Sequence, residues 1–115
     1  MGTFIKYPPF DKSPQLVPMP ELSVSFATDK GEVVVAGCSH STIETIVQET
    51  RKVRKGKIYL VAGGFHLIPY NREYIESLAR RMKQDYGVES VAPAHCNGHL
   101  GFLVFQQVFD DKFKF

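Results

Sequence analysis

The chain has 115 residues, 43% of them hydrophobic and 12% aromatic, with a formal net charge of +2. That is the size and make-up of one small globular domain, and it excludes a disordered chain. The charge is too mild for a nucleic-acid binder, and no run approaches the ~18 apolar residues of a membrane-spanning helix.

The first twenty residues carry Pro8, Pro9, Pro14, Pro18 and Pro20. Proline removes backbone donors and blocks helix, so residues 1–21 read as an extended arm rather than an independent unit. The arm has no apolar h-region and is not a signal peptide. With only two cysteines, the chain is expected in the reducing cytoplasm with free thiols, and a disulfide is not expected.

Residues 22–115 read as the folded domain. Leu22, Val24 and Phe26 alternate with Ser23, Ser25 and Ala27, the pattern of a half-buried strand. A turn at Asp29-Lys30-Gly31 returns the chain into a second strand over 32–37, making a hairpin. Ser41-Thr42-Ile43-Glu44 is a capping box, with Ser41 as N-cap and Glu44 at the third helical position. Ile43, Ile46, Val47 and Val53 form the apolar stripe of that helix, and Gly56 stops it. The basic run Arg51–Lys57 reads as its solvated last turn, with an anion-binding patch as the alternative.

The next strand, 57–62, is almost wholly apolar and therefore central. Asn71 opens a second helix with Ile75, Leu78, Ala79 and Met82 on one face, ended by Gly87. A further parallel-type strand covers 88–92. After the break at Asn97-Gly98, Leu100, Leu103, Val104, Gln107 and Val108 fit a third helix, and Phe113 and Phe115 open one more strand. The fold class is α/β: a β-hairpin followed by βαβαβα, a mixed, mostly parallel sheet with right-handed crossovers and helices on one face.

Three of these strands end in a small residue or proline followed by a histidine: Gly37-Cys38-Ser39-His40, Gly63-Gly64-Phe65-His66 and Pro93-Ala94-His95-Cys96-Asn97. Ligands of open α/β sheets bind at the carboxyl ends of strands, so the clustering points to one site. Histidine and cysteine are ligands of zinc, and iron and manganese also accept histidine. His95 is the leading ligand candidate, because Pro93 and the Asn97-Gly98 turn set its direction. Cys38 is a second ligand candidate, or a buried filler. His40, His66, Cys96, Ser39, Gly64 and Asn97 line the site, Gly64 by letting backbone approach a ligand. The helix N-terminus at Ser39–Thr42 offers N–H groups to a phosphate or carboxylate. His99 reads as a capping or surface residue.

In order and spacing, these three motifs resemble the metallo-β-lactamase superfamily. The likeness is closest to its dihydropterin–ribofuranosylaminobenzene-phosphate synthase-like branch, a group of metal-dependent hydrolases. The resemblance covers 22–115 and only the C-terminal half of an αββα sandwich. It implies that His95 matches the last metal-ligand histidine and that Cys38 stands where relatives place a bridging aspartate. The His-x-His-x-Asp-His metal motif is not in this sequence. The resemblance therefore implies a truncated hydrolase domain, weak or inactive alone, in which two histidines and a thiol hold one divalent metal weakly.

Zinc is the first expectation for that metal, then iron or manganese, and a metal-free site is the other outcome. Half a sandwich leaves a sheet face bare, so a homodimer or a complementary N-terminal half chain is expected as partner. The alternatives are one subunit of a split hydrolase, or a non-enzymatic dimeric module binding a phosphate-bearing or pterin-like small molecule. No nucleic-acid or membrane partner is expected.

Overall fold

The computed structural model describes the backbone of residues 2–6 and 15–19 and the whole of residues 21–115. Within the arm, β1 (Gly2–Lys6) and β2 (Gln15–Met19) pair antiparallel, with Phe4 opposite Val17. Pro18 lies in this ladder opposite Thr3. A two-stranded ribbon has only edge strands, where proline's missing donor is tolerated. Pro8, Pro9, Pro14 and Pro20 lie outside the described residues.

The domain is built on a four-stranded sheet in the order β3 (Ser23–Thr28), β4 (Gly31–Ala36), β5 (Ile58–Gly63), β6 (Ser90–Pro93). β3 and β4 form the antiparallel hairpin, and β4, β5 and β6 run parallel. The hairpin turn is held by the Thr28 hydroxyl, which donates to the Gly31 carbonyl at 2.7 Å and accepts from the Lys30 N–H at 3.2 Å. Between the parallel strands run α1 (Ile43–Val53) and α2 (Arg72–Arg80), and α3 (Gly98–Phe109) follows β6. The end of α2 widens into a π-type turn over Arg81–Asp85 before Gly87 reverses the chain with φ +67°.

One sheet face carries the core. Val34, Val61 and Val91 project from adjacent strands and are fully buried with Ile43 and Val47 of α1, Ile75 and Leu78 of α2, and Val104, Phe105 and Phe109 of α3. The Phe65 and Phe105 rings meet edge to face at 5.3 Å, tying the end of β5 to α3. On the opposite face Val24 pairs with Val35 and Phe26 with Val33. Val24, Phe26 and Val35 are 55%, 48% and 43% exposed, so that face is apolar and open.

Five local expectations are corrected. Leu22, Val24 and Phe26, expected as the buried side of the first hairpin strand, are exposed instead. Helix α1 is capped by Thr42, not Ser41: the Thr42 hydroxyl accepts from the Thr45 N–H, while Ser41 is drawn to a carboxylate elsewhere. Glu44 makes no capping box because it pairs with Arg81 of the α2 extension. Val53 is exposed rather than part of the buried stripe. The buried face of α3 is Gly101, Val104, Phe105 and Phe109, rotated away from the expected Leu100 and Leu103, which are partly exposed. Gly101 explains the rotation, since a Cβ there would lie 2.8 Å from Leu67 Cδ1, and its absence lets the helix settle on Leu67.

Within the basic run, Lys52 pairs with Glu49, Arg54 with Glu32 and Lys57 with Glu89. The expected last strand is a single parallel bridge between Phe113 and Val91, with Phe115 almost fully exposed. Among the described residues, no helix is long and apolar enough to cross a membrane.

Candidate metal centre

The carboxyl ends of the three parallel strands are level: Ala36 pairs with Gly63, and Gly63 with Pro93. Three positions beyond these residues stand Ser39, His66 and Cys96, and all three adopt left-handed backbone, with φ of 63°, 52° and 61°. Only five non-glycine residues among those described have positive φ, and three of them hold this one edge. Such residues cost free energy and persist where the surroundings hold them.

The hold is visible. The Gly64 N–H donates to the Gly37 carbonyl at 2.8 Å, and Ala94 N–H donates to Gly63 at 2.8 Å. The Ser39 hydroxyl donates to the Gly64 carbonyl at 2.5 Å. Asn97, buried, accepts from the Phe65 N–H at 2.8 Å through its side-chain oxygen and donates to the Ala94 carbonyl at 2.5 Å through its amide nitrogen. Asn97 thus ties the β5 and β6 turns together instead of capping α3 with its side chain.

Gly64 is the hinge of the assembly. A Cβ on it would fall 2.5 Å from the Gly37 carbonyl oxygen, 3.0 Å from that of His95 and 3.1 Å from Cys96 Sγ. With no side chain at the end of β5, the turns after β4 and β6 close over it. The Cys38 and Cys96 sulfurs then meet at 3.1 Å although their strands are not neighbours.

His66 joins them. Donor atoms of Cys38, His66 and Cys96 all lie within 4.8 Å of one another, and all three residues are half-buried. Burial, followed by the neighbouring His40, holds the His66 imidazole below its usual pKa and hence neutral. Its Nδ1 is buried without a hydrogen-bond partner. Burial and the thiol of Cys38 push the Cys96 thiol up to about 11. A neutral imidazole and two thiols that lose protons to a metal are donors suited to zinc, and a buried orphan nitrogen fits such a group.

His40 flanks the cluster, its ring edge-on to His66 at 4.7 Å. Its Nδ1 lies 3.4 Å from a Glu21 carboxylate oxygen, without an aligned hydrogen bond. Glu21 also accepts from the backbone N–H of His40 and from the N–H and hydroxyl of Ser41, at 2.7 and 2.6 Å. Burial pushes the Glu21 carboxyl up, but these hydrogen bonds and the His40 charge outweigh it and leave it below the usual carboxylate range. The N–H groups of His40 and Ser41, expected to be open to a phosphate, are therefore occupied by the chain's own carboxylate.

Of the residues expected at the site, Cys38, Ser39, His40, Gly64, His66, Cys96 and Asn97 are brought together. His95 is exposed and outside the donor cluster. The left-handed turn at Cys96 brings the Cys96 sulfur to Cys38, while His95 meets Gly64 only through its backbone carbonyl. The three converging donors are two thiols and one histidine, not two histidines and a thiol. His99 is exposed on the first turn of α3. Glu21 was missed because it sat at the boundary of the arm. The signal was present in a lone acid whose counterpart, a helix N-terminus, comes twenty residues later.

No protein-family model matches the chain. It is similar to a 7,8-dihydropterin-6-methyl-4-(beta-D-ribofuranosyl)-aminobenzene-5'-phosphate synthase of Methanocaldococcus jannaschii, 35% identical over 95 residues that make up 82% of this chain and 32% of the relative. An uncharacterized protein of the same organism is 35% identical over 84 residues, 72% of this chain and 30% of that protein. Among solved structures, Tm1679, a metal-dependent hydrolase of the beta-lactamase superfamily, superposes with a TM-score of 0.74 at 30% identity, over 88% of this chain and 37% of Tm1679. The chain therefore spans about a third of the length of the proteins it matches. It carries the α/β fold of the matched part of a β-lactamase-superfamily protein.

Proposed function

We propose that the chain supplies the strand-end wall of a metal-dependent hydrolase active site of the β-lactamase superfamily. The single observation that carries this reading is the convergence of Cys38, His66 and Cys96 at the aligned ends of β4, β5 and β6, with His66 Nδ1 left buried and unpartnered. These three residues would hold a divalent metal, with zinc favoured by the two sulfurs and one nitrogen. Such a metal supplies Lewis-acid polarisation and a water of lowered pKa. The chain's own residues do the rest. Burial keeps His66 neutral and able to donate its electron pair. Glu21 fixes the His40 backbone, and the His40 ring borders the cluster edge-on to His66. Ser39 and Asn97 lock the turns that aim the donors.

His95, exposed beside this cluster, is available to a second metal or to a substrate only with groups from outside residues 21–115. That fits activity that is weak or absent until such groups are supplied. The likeness to the methanogen synthase suggests a phosphate-bearing or pterin-like substrate, and the open face of the sheet suggests a second copy or a complementary chain as partner. Free thiols suit the reducing cytoplasm.

The test is elemental mass spectrometry of the purified protein before and after zinc reconstitution, on wild type beside Cys38→Ser, His66→Ala and His95→Ala. About one zinc per chain is expected, lost in the first two variants and kept in the third. No metal after reconstitution would overturn the metal reading and leave the small-molecule binding module. Hydrolysis of a chromogenic phosphodiester by the zinc-loaded protein, alone and with a chain carrying a His-x-His-x-Asp-His motif, then separates an enzyme wall from a remnant.

A further inference from the structure

We propose that Cys38 and Cys96 form a reversible intrachain disulfide, so that the strand-end site alternates between a metal-binding dithiol and a closed disulfide; the exclusion of metal rests on the reading above, while the disulfide does not.

The geometry is specific to this pair. Both cysteines are free and half-exposed, and the two sulfurs lie 3.1 Å apart. A bond at about 2.05 Å requires them to close by roughly one ångström. The Cys96 thiol also lies 3.4 Å from the Cys38 carbonyl, so the sulfur already rests against the opposing turn. The two turns are tied to a common post, the end of β5, by the Gly64-to-Gly37 and Ala94-to-Gly63 hydrogen bonds. Gly64 offers no Cβ to keep them apart. A pair built only to fill a core would be sealed, whereas this pair can be reached by a small oxidant.

The chemistry needs a hydroperoxide as co-reactant. One cysteine, as thiolate, attacks the peroxide oxygen. The O–O bond breaks, the sulfur becomes a sulfenic acid, and the departing oxygen takes up the thiol's proton as water. The second sulfur then attacks the sulfenic sulfur. The S–O bond breaks, and hydroxide leaves with the second thiol's proton as water. Two thiols and one hydrogen peroxide give one disulfide and two waters, and an external dithiol reverses the step. In the oxidised form neither sulfur is a thiolate, so two of the three donors are withdrawn from a metal.

The experiment treats the reduced, zinc-free full chain with stoichiometric hydrogen peroxide and follows intact mass, free thiols and linked peptides. The expected result is loss of both thiols, a mass lower by about 2 Da, a peptide joining Cys38 to Cys96, and full reversal by dithiothreitol. Cys38→Ser and Cys96→Ser should instead gain oxygen or form chain-to-chain disulfides. Wild type that only gains oxygen on each cysteine, or only links one chain to another, would overturn the proposal. Zinc-loaded protein should oxidise at least about tenfold more slowly, and the oxidised protein should not take up zinc. A crosslink that forms at the same rate with and without zinc would remove the metal reading while leaving the disulfide in place.

Discussion

Gly64 and Cys96 stand so close that a single methyl group on Gly64 would lie 3.1 Å from the Cys96 sulfur and 2.5 Å from the Gly37 carbonyl oxygen. Neither obstacle is the free end of a flexible side chain. The carbonyl belongs to the β4 turn, and the sulfur is held against Cys38.

Gly64→Ala should therefore force the β4 and β6 turns apart. Overpacking of this kind costs about 1–3 kcal/mol. Chemical denaturation should show a lower midpoint with an unchanged slope, together with loss of the Cys38–Cys96 crosslink under peroxide. An alanine variant as stable as wild type that still crosslinks would show that the turns are not packed around this glycine.

The ends of the parallel strands were legible in sequence because each is an apolar run closed by glycine or proline, and both signals are local. The convergence of Cys38, His66 and Cys96 was only partly legible. That a site lies there follows from strand-end placement, but which donors meet depends on the backbone sign at Ser39, His66 and Cys96. Nothing in the residue types of serine, histidine and cysteine demands left-handed backbone; the lattice of hydrogen bonds through Gly64 and Asn97 imposes it. Pro93 and the Asn97-Gly98 turn point to His95 in the sequence, but the left-handed backbone at Cys96 puts Cys96 into the cluster instead. The turn of α3 toward Phe105 and Phe109 was hidden in the same way, since a helix in which most positions are apolar has no clear stripe, and the fit of Gly101 on Leu67 decides its rotation.

Glu44 and Arg81 make a two-pronged pair joining α1 to the extension of α2, and the Tyr86 hydroxyl donates to the same carboxylate at 3.0 Å. The hydrogen bond from Arg81, against an opposing push from burial, holds the Glu44 carboxyl below its ordinary value of 4.5. A carboxyl depressed in the folded state contributes stability that is fully present above its unfolded pKa and is lost as pH falls through the lower folded value. Both side chains are partly exposed, so solvent screening limits the gain to about 0.5–1 kcal/mol. Glu44→Gln should lose that amount at pH 7, and the gap to wild type should shrink below pH 4.5. An unchanged gap from pH 7 to pH 3 in urea titrations would assign the effect to packing instead.

Metal affinity should fall with acidity for a related reason. The Cys96 thiol, near 11 without metal, is protonated throughout the working range and must release its proton on binding. Each proton displaced changes the affinity about tenfold per pH unit. His66, held below its usual pKa, adds its own loss only at more acidic pH, so the slope steepens there. Zinc titrations from pH 8 to pH 5 should show a monotonic loss that steepens downward. An affinity flat over that interval would rule out thiolate and imidazole donors together.

The open sheet face gives a last prediction. Val24, Phe26 and Val35 form one continuous apolar patch on adjacent strands, because cross-strand partners project to the same side. Contiguous exposed apolar surface of this kind marks an interaction site in proteins that stay in solution. A second copy packed face to face about a two-fold axis would bring each patch onto its equivalent. Light scattering at micromolar concentration should then report a dimer, and Phe26→Lys should shift it toward monomer by burying an unpaired charge at the interface, at a cost of several kcal/mol. Phe26 is about half exposed at an edge strand, so the same variant should leave the unfolding transition of the monomer nearly unchanged. A wild type that is monomeric at every concentration tested would dismiss the second copy and leave a chain of different sequence as the partner for this face.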